Sequence, residues 1–183
     1  MIYPIVLFGD PVLKKKAQDI PVGSDIKELV ADMFETMRAA SGVGLAAPQI
    51  GKSLRLFIVD SSPMEEDGDK PLTRAFVNPQ IIEETGEEWD FEEGCLSIPG
   101  IRGDVTREAE IKIKYYDEDW NEYVEEYDDI KARIIQHEYD HIEGVLFTDY
   151  LTPFKKKLLK GKLANISKGK VDADYRVRIP AKR

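Results

Sequence analysis

The chain has 183 residues, a length that fits one globular domain with a hydrophobic core of its own. Its 42% hydrophobic and 33% charged residues exclude a disordered chain, and the formal charge of −9 argues against a nucleic-acid-binding protein that is basic throughout. Eight Lys, three Arg and two Asp give residues 152–183 a net charge of +9, which leaves −18 on residues 1–151. Such an asymmetry is typical of a chain with a charged partner surface.

Cys95 is the single cysteine, so an internal disulfide cannot form and a reducing compartment is expected. Residues 2–8 are apolar, but they contain Pro4 and lack both a preceding basic region and a small-residue cleavage site, so no signal peptide is predicted. No run of residues approaches the roughly 18 apolar positions that a membrane span needs. We therefore expect a cytoplasmic protein with no membrane partner.

Hydrophobic periodicity and turn residues divide the chain into alternating elements. In chain order these are a helix (25–40), a glycine-rich loop (42–51), a strand (54–59), a polar loop (61–71), four strands (74–78, 86–91, 109–116 and 121–127) and two helices (128–142 and 152–167). This order predicts an α+β fold with mainly antiparallel sheets packed around the helix that carries residues 137–141. We predict one domain over residues 1–167, followed by a basic tail over residues 168–183 that is extended or flexible.

The two histidines of the chain, His137 and His141, lie four residues apart in an HExxH pattern that also contains Glu138. On a helix, residues at i and i+4 share one face about 5–6 Å apart between Cβ atoms, so two imidazoles can bind one metal ion. Glu138 lies one residue round the helix, where its carboxylate can reach a metal-bound water. A charged helix with two surface histidines is the alternative, because HExxH also occurs by chance.

The third metal ligand distinguishes among the HExxH hydrolases. One class of proteases has a histidine six residues after the second histidine of the motif, where this chain has Phe147. A downstream glutamate is also missing, because residues 150–171 contain no Asp or Glu. Asp172 and Asp174 follow, in a tail that we expect to be loosely ordered. The sequence therefore argues against both kinds of protease.

Cys95 is the remaining soft donor, and it follows a strand-like stretch within Glu93-Gly94-Cys95-Leu96-Ser97. A single cysteine is most often a small buried hydrophobic residue. Together with two histidines on one helix face, however, it completes a His₂Cys set with an open fourth position for water. An open position predicts catalysis, whereas a closed set of four ligands would predict a structural metal.

Three segments carry a resemblance to a known family: GVGLAAPQIG at 42–51, EGCLS at 93–97 and QHEYDHIEG at 136–144. They match the peptide deformylase motifs GφGLAAxQφG, EGCLS and QHExDHφxG at every defined position and in the same order, where φ is apolar. The resemblance extends to about residue 166. It implies a metal-dependent amidase that removes the formyl group from the N-terminal methionine of newly synthesised polypeptides and releases formate.

The resemblance also implies a role for each site residue. It gives metal binding to Cys95, His137 and His141, general acid–base catalysis to Glu138, and stabilisation of the tetrahedral oxyanion to Gln49 and the backbone N–H of Leu96. It implies Fe²⁺ as the ion in the cell, with Ni²⁺ or Co²⁺ as active substitutes and Zn²⁺ usually poorer. The ligand set alone does not select the ion, since Zn²⁺ binds such sites more tightly than Fe²⁺.

Substrate contacts are expected around the glycine-rich loop. In the family this loop and a neighbouring strand pair with the extended peptide, and Gly44 would let the backbone approach a formyl group closely. Val43, Ile134 and the stem of Arg102 would form an apolar pocket for the methionine side chain. Arg133 lies on the same helix face as Ile134, which leaves the polarity of the pocket open.

Two further interpretations concern charged residues. Glu93 is expected to orient the site by pairing with Arg107. The lysines of the last helix either complement the helix dipole or make a weak contact with the ribosome, and they are Lys155, Lys156, Lys157, Lys160 and Lys162. An HExxH endopeptidase and a non-catalytic metal-binding or scaffold protein are the competing functions.

Overall fold

A computed structural model gives the structure of residues 1–181. Its strands and α-helices are β1 (Ile5–Val6), α1 (Lys27–Ala39), β2 (Gly44–Ala46), β3 (Leu56–Asp60), β4 (Thr73–Cys95), β5 (Ile98–Tyr116), β6 (Glu122–Asp128), α2 (Asp129–Ile142), α3 (Pro153–Ser167) and β7 (Val177–Arg178). Strands β2 to β6 form one sheet in chain order with every neighbouring pair antiparallel, and β1 pairs with β7 in parallel. The predicted α+β class with a mainly antiparallel sheet is confirmed.

Helix α2 packs against β2, β3, β5 and β6. Its side chains Ala132, Ile135 and Ile142 are buried in one hydrophobic cluster with the strand residues Phe57 and Phe76. Burial of each large apolar side chain stabilises the fold by about 1.5–3 kcal/mol, so the packed face of α2 fixes the position of the whole helix. The predicted central helix is therefore confirmed, and its position is set by the sheet.

Strand β4 is longer than the sequence indicates. The two strands predicted at 74–78 and 86–91 are parts of this single strand of 23 residues, so the prediction of separate strands is wrong. Pro79 breaks the alternation of apolar and polar residues, but a register shift between Val77 and Gln80 absorbs the break and lets the pairing with β5 continue. The strand thereby extends from the core of the sheet to Cys95.

The remaining predicted helices are confirmed. Helix α1 lies within the predicted range 25–40, and α3 begins after Thr152, whose hydroxyl accepts a hydrogen bond of 3.2 Å from Lys155 N. Pro153 occupies the first turn of α3, where its missing N–H costs no helical hydrogen bond. Within the described residues, no helix is long and apolar enough to cross a membrane.

The segment after α3 returns to the N-terminal end of the chain, where β7 pairs with β1. The N–H of Ile5 donates to Arg176 O at 2.9 Å, and the N–H of Leu7 donates to Arg178 O at 3.1 Å. These bonds hold part of the predicted tail, 168–183, against the body of the protein, and residues 182 and 183 of that tail lie outside the described range. The domain boundary at residue 167 stays a prediction.

Candidate metal centre and active site

Helix α2 presents its two histidines on one face, with ring centroids 5.0 Å apart. His137 Nδ1 makes a hydrogen bond of 2.8 Å with Glu93 Oε1, which leaves Nε2 of His137 as the nitrogen available to a metal. His141 is buried, and burial lowers the pKa of His141 well below its ordinary value. Its imidazole is therefore neutral, which is the form that binds metal ions.

Cys95 is the last residue of β4, and its Sγ lies 3.5 Å from His141 Nε2. Donor atoms of Cys95, His137 and His141 all lie within 4.8 Å of one another. On a tetrahedral ion, a sulfur at about 2.3 Å and a nitrogen at about 2.1 Å from the metal stand about 3.6 Å apart. The separation of Cys95 and His141 therefore matches two ligands of one divalent ion, and His137 is close enough to be a third.

Gln49 lies beside Cys95 in a 3₁₀ turn, Ala47–Ile50. Its amide oxygen accepts a hydrogen bond from Ala46 N at 3.0 Å, so its Nε2 is directed to the other side. There Nε2 lies 3.2 Å from Ser97 Oγ and 3.5 Å from Cys95 Sγ. The Gln49 side chain is buried, and these contacts fix an N–H donor beside Cys95.

Glu138 is buried next to His137, with its Oε1 4.0 Å from His137 Nε2. Its Oε2 has no hydrogen-bond partner within residues 1–181. Burial raises the pKa of Glu138 to about 7. Gly44 packs directly on the carboxylate, because a Cβ at position 44 would lie 2.7 Å from Glu138 Oε1. A glycine is therefore needed here to make room for the carboxylate.

Glu93 connects His137 to two arginines. Arg107 donates to both carboxylate oxygens of Glu93, at 2.8 and 3.0 Å, and Arg133 donates to Oε2 at 2.9 Å. Burial alone would raise the pKa of Glu93, but the hydrogen bonds with His137 and Arg107 outweigh it and hold that pKa well below its usual range. Glu93 is therefore ionised, and the predicted pairing of Glu93 with Arg107 is confirmed.

The network continues beyond the pair that the sequence predicts. Arg107 also donates to Asp140 Oδ2 at 2.8 Å, and Tyr150 donates its hydroxyl to the same oxygen at 2.9 Å. Arg133 is buried over the ring of Trp89, with 4.6 Å between its Cζ and the ring centroid. The sequence could have indicated a role for Asp140, because this residue is part of the third motif. It gives no such indication for Tyr150, because the contact of Tyr150 depends on the turn that follows α2.

A cavity of about 740 Å³ opens above Cys95 and His137. All four residues predicted to contact substrate line it, namely Val43, Gly44, Arg102 and Ile134. Gln49, Cys95, Leu96, His137 and Glu138 also line it, whereas His141 lies beneath, in contact with Cys95. Arg102 donates from Nε to Glu92 Oε1 at 2.9 Å, so its guanidinium is held at the rim. All ten site residues predicted from the sequence therefore lie in the lining of this cavity or directly beneath it.

The tail residues Asp172, Asp174 and Tyr175 also line this cavity. The sequence predicts a loosely ordered tail around the two aspartates, but the pairing of β7 with β1 fixes the chain just after them. Phe147, which replaces the histidine of one protease class, is buried and stacks on His137 at a centroid distance of 6.3 Å. Phe147 packs on His137 and has no donor atom for a metal.

The site combines two histidines from a helix, a thiol from a strand and a buried carboxylate beside them. This combination defines a metal-dependent hydrolase. The family model described as Polypeptide deformylase matches residues 2–157. A curated peptide deformylase from Cytophaga hutchinsonii is 60% identical over 184 residues, with 100% of both chains covered. The chain therefore belongs to the peptide deformylase family.

Solved structures agree with this assignment. The peptide deformylase of Thermus thermophilus superposes with a TM-score of 0.81 at 39% identity, covering 90% of this chain and 97% of that one. The enzyme from Legionella pneumophila gives a TM-score of 0.80 at 37% identity, covering 93% and 98%. The chain is thus an enzyme that removes the N-formyl group from the N-terminal methionine of newly synthesised polypeptides and releases formate. The endopeptidase and scaffold alternatives are set aside.

Replacing Arg107 by Ala should lower turnover about tenfold to a hundredfold, the usual cost of removing a residue that orients a metal ligand. The change leaves Glu93 and Asp140 with one cation fewer between them, so the orientation of His137 is less well fixed. The measurement is kcat for formate release from formyl-Met-Ala-Ser at full metal occupancy. Unchanged kinetics would contradict a role for the pairing.

A matched control for this prediction is Arg74→Ala. Arg74 Nη1 forms an ion pair of 3.2 Å with Glu125 on β6 and does not line the cavity. Its loss also removes a hydrogen bond of 2.7 Å to the hydroxyl of Tyr115, so it should lower stability and leave kcat unchanged. A fall in kcat for both variants would indicate a general effect of losing an ion pair.

Proposed function

We propose that Cys95, His137 and His141 hold one divalent metal ion per chain at the floor of the cavity. The observation that carries this proposal is the convergence of their donor atoms, all within 4.8 Å, beside a buried carboxylate. When bound, an ion in such a site lowers the pKa of a water molecule from 15.7 to about 7 and so supplies hydroxide at neutral pH. The remaining steps depend on side chains and backbone of this chain.

Glu138 is the general base and then the general acid. It accepts the proton of the attacking water and passes it to the nitrogen of the leaving amine, so that formate and a free N-terminus are released. Its pKa of about 7, which burial raises to that value, suits a group that both takes and gives a proton near neutral pH. Gly44 supports this role because the absence of a side chain at this position leaves room for the Glu138 carboxylate.

Gln49 and Leu96 stabilise the transition state. Attack on the formyl carbon places negative charge on the formyl oxygen, and the Nε2–H of Gln49 and the backbone N–H of Leu96 donate to it. Gln49 is held by Ala46, and Leu96 follows Cys95 directly in the turn between β4 and β5. A single donor of this kind is worth about 10²–10³ in rate in other hydrolases.

The substrate lies along β2 with its methionine side chain in the cavity. Strand β2 is at the edge of the five-stranded sheet, so its outer side can pair with an extended peptide. Gly44 faces this path, and Val43, Ile134 and the stem of Arg102 form the walls of the methionine pocket. The hydrogen bond from Arg102 to Glu92 favours this arrangement, because it keeps the guanidinium at the rim and the stem toward the cavity.

The ion in the cell is Fe²⁺, and Ni²⁺ or Co²⁺ gives active substitutes. Affinity for a nitrogen and sulfur site follows an order in which Zn²⁺ exceeds Fe²⁺, so protein purified in air will tend to contain Zn²⁺. Metal analysis of protein purified without oxygen tests this assignment. Iron at one ion per chain together with the highest kcat supports it, and zinc as the most active form contradicts it.

The experiment for the residue roles compares formyl-Met-Ala-Ser with the same peptide lacking the formyl group. The metal-loaded enzyme should release formate from the first and should leave the peptide bonds of both intact. Release of formate in the absence of peptide-bond cleavage separates amidase chemistry from endopeptidase chemistry. A metal-loaded enzyme that releases no formate would contradict the assigned roles.

Helix α3 makes a weak contact with the ribosome, and the enzyme works in the cytoplasm where its substrate is made. The support is a set of five exposed lysines on this helix: Lys155, Lys156, Lys157, Lys160 and Lys162. Exposed Phe154 and Leu158 add apolar area to the same helix. The alternative is that the lysines complement the helix dipole and keep the surface soluble.

Co-sedimentation with ribosomes should weaken by about tenfold or more between 50 and 200 mM salt, because each phosphate contact releases a counterion. Replacing the five lysines of α3 by Gln should abolish the association, whereas replacing Lys112 and Lys114 on β5 should not. Association that is insensitive to salt, or that survives the loss of the α3 lysines, would contradict the contact.

A further inference from the structure

The turn between β4 and β5 is held by residues from several parts of the chain. The carbonyl of Ser97 accepts from Phe8 N at 2.9 Å, and the Ser97 hydroxyl accepts from Gln49 Nε2 at 3.2 Å. Ser97 is fully buried. The second residue of the turn is therefore fixed by contacts from the N-terminal segment and from the glycine-rich loop.

Leu96, the first residue of the turn, is held by the C-terminal tail. The hydroxyl of Tyr175 donates to the Leu96 carbonyl at 2.6 Å across 79 positions of sequence. Both side chains are partly buried and pack against the hydrophobic cluster that contains Met33 and Met37 of α1. Tyr175 is two residues before β7, whose pairing with β1 fixes the direction from which the tail approaches.

Tyr175 also borders the space that the substrate occupies. It lines the cavity together with Leu96 and with the tail residues Asp172 and Asp174. The family match ends at residue 157, so the three motifs give no role to this part of the chain. The tail therefore adds a contact that the matched region does not contain.

We propose that Tyr175 is a positioning residue for deformylation, which acts by holding the turn that carries the Leu96 N–H. A hydrogen bond to the Leu96 carbonyl restricts rotation of the neighbouring peptide groups, and so fixes the direction of the N–H that donates to the formyl oxygen. Donors that are fixed before the reaction need no reorganisation when negative charge develops, which is why their orientation affects kcat. The inference rests on the proposed role of Leu96.

The test is Tyr175→Phe, which removes the hydroxyl and keeps the ring that packs against the core. The matched control is Tyr123→Phe. Tyr123 is a partly buried tyrosine on β6, and its hydroxyl donates to Asp117 at 3.2 Å. Both variants are measured as the full chain with the same metal content, for kcat and KM with formyl-Met-Ala-Ser and for thermal unfolding. The amide resonance of Leu96 is recorded by NMR in the Zn²⁺ form.

We expect Tyr175→Phe to lower kcat about fivefold, the effect of one lost hydrogen bond, with KM within about twofold and a shifted Leu96 amide resonance. Tyr123→Phe should keep the kcat and the Leu96 resonance of the wild type. An unchanged kcat with an unchanged resonance overturns the proposal and leaves the role of Leu96 intact. An unchanged kcat with a shifted resonance overturns both, because the turn would then have moved without consequence for the reaction.

Discussion

Replacing Glu138 by Gln should reduce formate release from formyl-Met-Ala-Ser by about a thousandfold while the metal stays bound. A glutamine has nearly the same shape, so it fits against Gly44, but it cannot accept the proton of the attacking water. General acid–base catalysis by one side chain typically contributes 10²–10⁴ in rate, and Glu138 is proposed to act twice in each turnover. The measurements are kcat and the metal content of the same preparation.

The control for this variant is Glu143→Gln, at the end of the same helix. Glu143 forms an ion pair of 2.7 Å with Arg55 and does not line the cavity. Its replacement should lower thermal stability, because buried Arg55 loses its charged partner, and should leave kcat within about twofold. Wild-type turnover in metal-loaded Glu138→Gln would contradict the assignment of the general base.

Replacing Cys95 by Ser should remove both the metal and the activity. A serine hydroxyl is a much poorer ligand than a thiolate for a soft or borderline ion, so we expect the affinity to fall more than about a hundredfold. In the wild type, an ion held by the three proposed ligands would connect the end of β4 to α2 and should therefore raise the unfolding temperature. This metal-dependent rise should vanish in Cys95→Ser, and differential scanning calorimetry with and without added metal measures it.

Ser97→Ala is the matched control for the cysteine variant. Ser97 lies two residues further along the same turn and contacts Gln49, but it does not belong to the three-donor cluster. The variant should keep one ion per chain and the metal-dependent rise in unfolding temperature. Stoichiometric metal in Cys95→Ser would show that another residue completes the ligand set.

The parts of this structure that sequence could predict depend on contacts close together in the chain. The spacing of His137 and His141 alone predicts a shared helix face, and the acidic pair at 128–129 and Gly144 predict where α2 begins and ends. The alternation over 109–116 and 121–127 predicts the β5–β6 pair, which the structure confirms. In each case neighbouring residues on one element determine the outcome.

The parts that sequence could not predict depend on pairing between distant segments. The full length of β4 does not follow from its own residues, because Pro79 interrupts the alternation of apolar and polar residues. The register shift that accommodates the proline depends on the pairing with β5. The contacts of Arg107 with Asp140 and of Tyr175 with Leu96 join residues far apart in the chain. No local pattern encodes such contacts, since they require the register of the sheet and the path of the tail to be known.

The parallel pairing of β1 with β7 also has a consequence for the order in which the protein folds. The two strands come from opposite ends of the chain, so the loop between them contains almost every other residue, and closing it carries a high entropic cost. We expect such contacts to form after the local hairpins and helices. During synthesis the three proposed metal ligands are therefore made before Tyr175 emerges, and we expect the part of the cavity lined by Tyr175 to be completed last.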